Sequence, residues 1–384
     1  MQHPTYIHNR STRKVLMASL ALAMSASSVA ALAADFVTKV NNDTTAFSTA
    51  AYWTPERLAN AKPLDLPKAS STTPQSGAET PMASGISASS EGRGPTVSVA
   101  PDMTSRLFDP ALAPQWDNET GVVPFDRGTS GYNYTSSRLI PLTADIYYPY
   151  RTVGKLFFTQ PGVGNFVCSA SVIQRRILAT AGHCVHRGNG SATGWFTNFL
   201  FVPAYRNGAA PYSSWTWAAV RTSTTWYSGA GAVPNAADYA MIEVNDKVIS
   251  GVTRRVGDLT GWLGWKTLAL SYNHAHILGY PMNLDSGVYM HQVSAQSAVT
   301  GGNNTWRYGS DMRGGSSGGP FVQNFSLPAA GQTPGLNPGW NQLISVVSYG
   351  PVDTNPKYQG ASILDSRWTS MWSAACARRA GNCN

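Results

Sequence analysis

Apolar and polar positions follow different rhythms in successive parts of the chain. Residues 15–33, VLMASLALAMSASSVAALA, are almost uniformly apolar and come just after Arg10, Arg13 and Lys14. From Asn60 to Ser105 the sequence is dominated by Ser, Thr, Pro, Gly and Ala, has no aromatic residue, and keeps neither a helical nor a strand period. Such a composition cannot bury enough surface to fold alone. From about Tyr132 the texture becomes β-rich. YYPYRTVGKLFF (147–158) is followed by NFVCSASVI, RRILATAG, TNFLFVPAY, YAMIEV, HAHILGY, GVYMHQVSA, GPFVQN and LISVVSYG. These segments are short, β-branched or aromatic, and bounded by Gly, Pro, Asn or Asp. Many short strands without helical patterns between them predict an all-β barrel or sandwich.

One helix is predicted at the end of the chain. Ser366 is placed to cap RWTSMWSAACARRA, in which Trp368, Met371, Trp372, Ala375 and Arg379 recur at spacings of three and four, and Gly381 stops it. Arg378 and Arg379 fall in the last turn, where the helix dipole favours cations. No internal repeat is visible.

These rhythms divide the 384 residues into three parts. The basic start, the apolar run and the Ala31-Leu32-Ala33 end describe a secretory signal peptide over 1–33. The run is nearly long enough to be a membrane anchor, but its serines and small-residue end argue against that. No stable membrane association is expected after signal removal, and the chain should be secreted, extracellular or periplasmic in transit. Residues 34–138 read as a Ser/Pro/Gly-rich, partly disordered prosegment and 139–384 as the folded region. The expected junction is Arg138–Leu139, with Arg127–Gly128 as the alternative.

Charge adds little. The net +8 arises wholly from 139–384, which carry 17 basic and 9 acidic side chains. They are scattered without a basic run or a nucleic-acid module, so no nucleic-acid partner is expected. Four cysteines in an exported chain suggest disulfides with three possible connectivities. Sequence proximity favours Cys168–Cys184 and Cys376–Cys383. No CxxC pair suggests zinc, and neither a metal nor a cofactor is expected.

The candidate chemistry centres on RGGSSGGP (313–320). A serine becomes a nucleophile when a base takes its proton and donors stabilise the oxyanion that follows. A glycine-rich turn exposes one hydroxyl and aims backbone N–H groups at one point. Gly315-x-Ser317-x-Gly319 fits the elbow of α/β-hydrolases, which needs a later histidine, but the last histidine is His291. The base must therefore lie upstream, and His183 in TAGHC ends an apolar strand beside Cys184. The orienting acid should lie between His183 and Ser317. Asp238 in NAADYAMIEV opens an apolar strand, whereas Asp246, Asp258 and Asp285 sit among polar or turn residues and read as solvated. His186 lacks a recognisable setting, and His274 and His276 read as structural.

TAGHC, DYAMIEV and GGSSGGP in that order resemble the trypsin/chymotrypsin-like serine peptidases. YPYRTVGKLFF, GYP (279–281) and YGSDMRGGSSGGP are similar to the bacterial glutamyl-endopeptidase branch. The resemblance covers roughly 139–384 and implies two perpendicular six-stranded β-barrels with the site between them and a C-terminal helix. It implies Ser317 as nucleophile, His183 as general base and then acid, Asp238 as its orienting partner, and the N–H groups of Gly315 and Ser317 as oxyanion hole. Ser316 then stands where trypsins carry the aspartate that pairs with a new N-terminus. Asp311, Ser348, Tyr349, Gly350 and Gly360 fall at substrate-binding positions. Asp311 implies a preference for Arg or Lys. Val347 and Ser348 stand where the glutamyl branch has a pocket histidine, which weakens an acidic preference, and a broad specificity is the further alternative. The expected function is a secreted, monomeric serine endopeptidase acting on protein or peptide substrates through an acyl-enzyme. The rival from another class is an inactive binding or adhesion protein on the same scaffold.

Overall fold

The computed structural model describes residue 1 and residues 35–42, 46–69, 86–114, 131–326, 338–353 and 355–383. The expected signal run 15–33 and the peptide Arg127–Gly128 lie outside the described residues. No helix among the described residues is long and apolar enough to cross a membrane.

Five short strands precede the main β-rich region among the described residues: β1 (Phe36–Val40), β2 (Lys62–Pro63), β3 (Lys68–Ala69), β4 (Ser89–Ser90) and β5 (Tyr134–Arg138). The first barrel follows as β6 (Val153–Gln160), β7 (Gly164–Val172), β8 (Ile177–Thr180), β9 (Thr197–Pro203), β10 (Trp215–Ser223) and β11 (Ala240–Val244). Local chemistry sets its first hairpin. Pro161 and Gly162 are the central residues of a turn in which Gly162 takes φ +76° and the Val163 N–H returns to Gln160 O at 3.0 Å. Pro then Gly is the type II pattern, which needs positive φ at the third position. The ladder runs β10–β11–β8–β7–β6–β9 and closes by β9 pairing with β10. Cys168, Phe158, Phe196, Phe201, Trp215 and Met241 are among the side chains filling it.

A small hairpin of β12 (Lys247–Ile249) and β13 (Val252–Arg254) leads to the second sheet. Its strands are β14 (Gly264–Lys266), β15 (His274–Gly279), β16 (His291–Gly302), β17 (Thr305–Gly309), β18 (Pro320–Gln323), β19 (Gln342–Val346), β20 (Gly350–Pro351) and β21 (Tyr358–Ser362). Asn303 and Asn304, both at positive φ, join β16 to β17. Two central residues with positive φ are what a type I′ hairpin needs, and Asn tolerates that region. Strands β19, β18, β15, β16, β17 and β21 follow one another, and the circuit closes where Ser348 N and Tyr349 N donate to Gly360 O. Ile277, Val293, Tyr308, Phe321 and Ile344 lie in its core.

The C-terminal helix spans Ser366–Arg378 and buries Trp368, Met371 and Ala375 of the stripe that the spacing predicts, while Trp372 is half-buried and Arg379 lies past the helix end. Its cap differs from the expected Ser366. Asp365 is the N-cap, its carboxylate accepting Arg367 N–H at 3.0 Å, and it also accepts Tyr239 OH at 2.9 Å. A carboxylate serves the helix N-terminus better than a hydroxyl because the dipole adds to the hydrogen bond. Arg378 lies in the last turn as expected, but Arg379 falls just past it as the extended C-cap, and the two pair with Glu243 and Asp246. Asp246, Asp258 and Asp285 are accordingly not simply solvated. Asp246 also holds Arg176, Asp258 lies beside Arg175, and Asp285 binds Arg138 and His291.

The residues read as a prosegment do not fold apart from the barrels. β1 pairs antiparallel with β10, Phe36 opposite Ser223 and Val40 opposite Ala219. Trp53 is buried edge-on to Phe157, with its indole N–H on Asn198 O at 2.7 Å. β4 pairs with β14, and Phe108 enters a core cluster with Val153 and Phe157. A low-complexity segment that cannot supply a core of its own borrows the apolar surface and strand edges of the barrels. β5 pairs with β16 in the second sheet, Arg138 opposite His291.

Candidate active site

The ends of three strands converge where the barrels meet. His183 sits in a helical turn (Gly182–Cys184) just after β8, Asp238 lies just before β11, and Ser317 lies just before β18. Cys184 is bonded to Cys168 of β7, and Cys376 to Cys383, the pairing that proximity favours. The first bridge closes a loop with a sequence separation of 16, which on the chain-entropy model is worth about 3 kcal/mol. It also fixes the residue next to His183.

Asp238 is fully buried and grips the histidine twice. Oδ1 accepts the His183 backbone N–H at 2.8 Å, and Oδ2 lies 2.7 Å from Nδ1. A carboxylate can only accept here, so Nδ1 carries the proton and Nε2 is left as the basic nitrogen. Ser348 Oγ donates to the same Oδ2 at 2.7 Å, and Asp238 N–H donates to Ser362 Oγ at 3.1 Å. Ser348, placed by resemblance among the substrate-binding positions, thus also fixes the acid. The sequence offered no local signal for this, because Ser348 and Asp238 are 110 residues apart. The His183 ring lies edge-on to Trp226, with centroids 5.9 Å apart.

The glycine-rich turn is packed tightly against its surroundings. Gly315 takes φ +89°, and a Cβ there would lie 2.5 Å from Tyr280 O. Gly318 takes φ +77°, and a Cβ there would lie 2.5 Å from Ser169 O and 2.9 Å from Ala181 N. Larger residues would be strained by backbone angle and by contact at both positions. Ser169 is a support that sequence reasoning missed. Its N–H donates to Ser317 O at 2.8 Å, and its Oγ donates to Gly315 O at 2.9 Å and accepts Tyr280 N–H at 3.0 Å.

The two serines of the turn have different surroundings. Ser316 Oγ donates to Arg313 O at 2.6 Å and accepts from Gln359 Nε2 at 2.7 Å. It is held by neutral groups at the position where trypsins carry an aspartate. Ser317 Oγ and His183 Nε2 are both buried, and neither makes a hydrogen bond in this state.

The remaining predicted residues surround the turn. Asp311 is buried in the segment between β17 and the turn, where Asn283 Nδ2 donates to its carbonyl at 2.9 Å. Gly350 carries β20, and a Cβ there would lie 2.6 Å from Leu66 Cδ2. The Tyr349 ring occupies the space a Cβ of Gly360 would need, and its hydroxyl lies 3.0 Å from Thr305 Oγ1. Gly360 therefore makes room for Tyr349. His186, with Nε2 2.8 Å from Ser191 O, and His276, stacked on Phe325, lie in structural settings.

Two six-stranded barrels and a helix at the C-terminus make up the chymotrypsin-like fold, with the bonded His183–Asp238 pair and the Ser317 turn where the barrels meet. No family model matches the chain, and no curated protein matches it. Among solved structures, it is similar to the thermostable serine protease AL20 from an extremophilic microorganism, at 26% identity and a TM-score of 0.48, over 60% of this chain and 98% of that one. It is also similar to the protease Anisep from Arthrobacter nicotinovorans, at 29% identity and a TM-score of 0.47, over 59% and 96% of the two chains. A Glu endopeptidase in complex with MPD matches at 18% identity and a TM-score of 0.49, over 67% and 100%.

Proposed function

We propose that the chain is a secreted serine endopeptidase made with a signal peptide and a prosegment. The observation that carries the reading is the buried Asp238, bonded to His183 N, His183 Nδ1 and Ser348, beside the turn that bears Ser317. In the processed enzyme, His183 Nε2 takes the Ser317 hydroxyl proton as Oγ attacks the peptide carbonyl. The N–H groups of Gly315 and Ser317 hold the tetrahedral oxyanion. The imidazolium, stabilised by Asp238, then protonates the leaving amine and leaves an acyl-enzyme, which water hydrolyses by the same steps. Two disulfides suit an oxidising, extracytoplasmic setting.

For the residue before the cut, the reading is Arg or Lys. Its support is the buried Asp311, six positions before Ser317. A carboxylate in a partly desolvated pocket favours guanidinium or ammonium groups through charge-assisted hydrogen bonds. The fully buried Val347 and Ser348 stand where a histidine is expected for glutamate recognition. The decisive experiment is labelling of the processed chain with a fluorophosphonate probe. Covalent label on Ser317, lost in His183→Ala, is expected; a processed, folded chain that takes no label is a binding scaffold instead.

A further inference from the structure

Residues 62–69 cross the candidate active site. β2 pairs with β7, Lys62 opposite Phe166 and Pro63 opposite Val167, and Leu64 N–H donates to Val167 O at 2.9 Å. Leu64 O then accepts the N–H of Gly315 at 3.0 Å. Beyond it, Leu66 is buried against Gly350, whose N–H donates to Pro67 O at 2.8 Å, and β3 pairs with β20. A peptide strand thus spans from one barrel to the other, with one carbonyl on a backbone donor of the oxyanion turn. His183 and Ser317 are both buried.

The direction of that strand decides what it does. On the reading above, the base is His183, which belongs to the first barrel and is tied to β7 through Cys184 and Cys168. A hydrolysable peptide must place its leaving nitrogen on that side, within reach of Nε2, and its acyl half towards β20. It therefore runs from the second barrel to the first. Residues 62–69 run the other way. Leu64, with its carbonyl at Gly315, has its N–H on Val167 O of the first barrel, and the nitrogen that would leave belongs to Asp65. Asp65 lies on the far side, its Cα 3.4 Å from where a Cβ of Gly314 would stand. Attack on this carbonyl would put the leaving nitrogen out of reach of the imidazolium, and the adduct would collapse back. The ladders carry the same information. Both β2 with β7 and β3 with β20 are parallel, and a strand of opposite polarity on the same edges would be antiparallel to both.

We propose that the cleft binds peptide in two directions and that residues 62–69 are its reverse-polarity occupant, a segment of the chain itself that blocks the attacking pair without being cut. Backbone hydrogen bonds supply the docking, as in strand addition to a sheet edge, and Leu66 supplies the apolar anchor.

Direction is tested by disulfide trapping in the full chain, in which the four native cysteines are already paired. Lys62→Cys with Phe166→Cys should crosslink, and Lys68→Cys with Phe166→Cys should not. Crosslinking of the second pair, or of neither, overturns the proposal. Blocking is read by the rate of fluorophosphonate labelling at Ser317. The crosslinked full chain should label at least about tenfold more slowly than processed enzyme. Leu66→Asp, which places a charge where an isobutyl group is buried, should speed labelling of the full chain by a similar factor. Equal rates in full and processed chains, or cleavage at Leu64–Asp65 as a preferred site, refute it. A processed chain that takes no label refutes the peptidase reading but leaves the trapping result standing.

Discussion

Ser348 Oγ donates to the Asp238 oxygen that also faces His183 Nδ1, so one carboxylate oxygen serves both barrels. Ser348→Ala removes a charge-assisted bond from a fully buried carboxylate. Such bonds are worth about 1.5–3 kcal/mol. The expected result is a fall in kcat of roughly ten- to a hundredfold with KM little changed. Ser348→Thr, which keeps the hydroxyl, should restore much of it. A variant that changed KM alone would place Ser348 in substrate contact and not behind the histidine.

Ser317→Ala should abolish hydrolysis and leave the melting temperature close to wild type, since that hydroxyl holds nothing in place. Ser316→Ala should do the reverse. It strips a partner from Arg313 O and Gln359 Nε2, costs about 1–3 kcal/mol of stability, and still permits label at Ser317. An inactive, fully stable Ser316→Ala together with an active Ser317→Ala would reverse the assignment.

The role given to Asp311 is checked by peptide-library profiling of processed wild type and Asp311→Ser. Wild type should cut after Arg or Lys, and the variant should lose that preference while cleaving the best apolar sequences at similar rates. A basic preference that survives in the variant refutes the role.

The junction of the mature chain can be read by N-terminal sequencing. Arg138 lies within the β5–β16 ladder and its guanidinium binds Asp285, and Leu139 is buried. A cut at Arg138–Leu139 would need that strand end to open. A cut at Arg127–Gly128 would leave β5 in its sheet, and sequencing of the processed chain is expected to start at Gly128. A first residue of Leu139 would show that β5 leaves with the prosegment.

Asp285 gives the second sheet a pH dependence. Burial alone would raise its pKa, but hydrogen bonds from His291 and Arg138, and their charge, hold it down at about 2. An unfolded Asp titrates near about 3.9. The unfolded chain therefore binds the proton first as pH falls, and the stabilisation, complete above about pH 4, is lost as pH drops through about 2. Thermal melts of wild type and Asp285→Asn should differ near neutral pH and converge at the acid end. A constant difference at all pH values would remove the ion pair as its cause.

The parts of the site legible in the sequence are those whose chemistry is local. TAGHC, the Asp238 strand and the glycine-rich turn each suggest within a few residues the role proposed for them, and the absence of a histidine after His291 excludes the α/β-hydrolase order. What escaped depends on neutral side chains meeting partners far away in the sequence: Ser348 on Asp238, Gln359 on Ser316, Ser169 on Gly315 O. Serine and glutamine at such positions look like any others, because the geometry that gives them a role belongs to the folded barrels. The crossing at 62–69 was illegible for a different reason. Backbone pairing at a strand edge asks almost nothing of side chains, so NAKPLDLPKA has no period to betray it. Composition showed that this stretch could not fold alone, but not that it would be held by a surface elsewhere in the chain.

β1 lies along Ala219–Ser223 of β10, and Trp53 is sunk beside Phe157. Cutting one peptide bond loosens neither. After the cut, the same contacts join two molecules where they had joined one, and release becomes a matter of dilution and elapsed time. On the proposed secretion and processing, the severed piece would stay in place at the concentration of a crowded export route and leave once spread into a large volume. Size-exclusion of freshly nicked chain at high and low concentration should show one peak and then two. Latency would then be set by how far the molecule has travelled from the cell that made it.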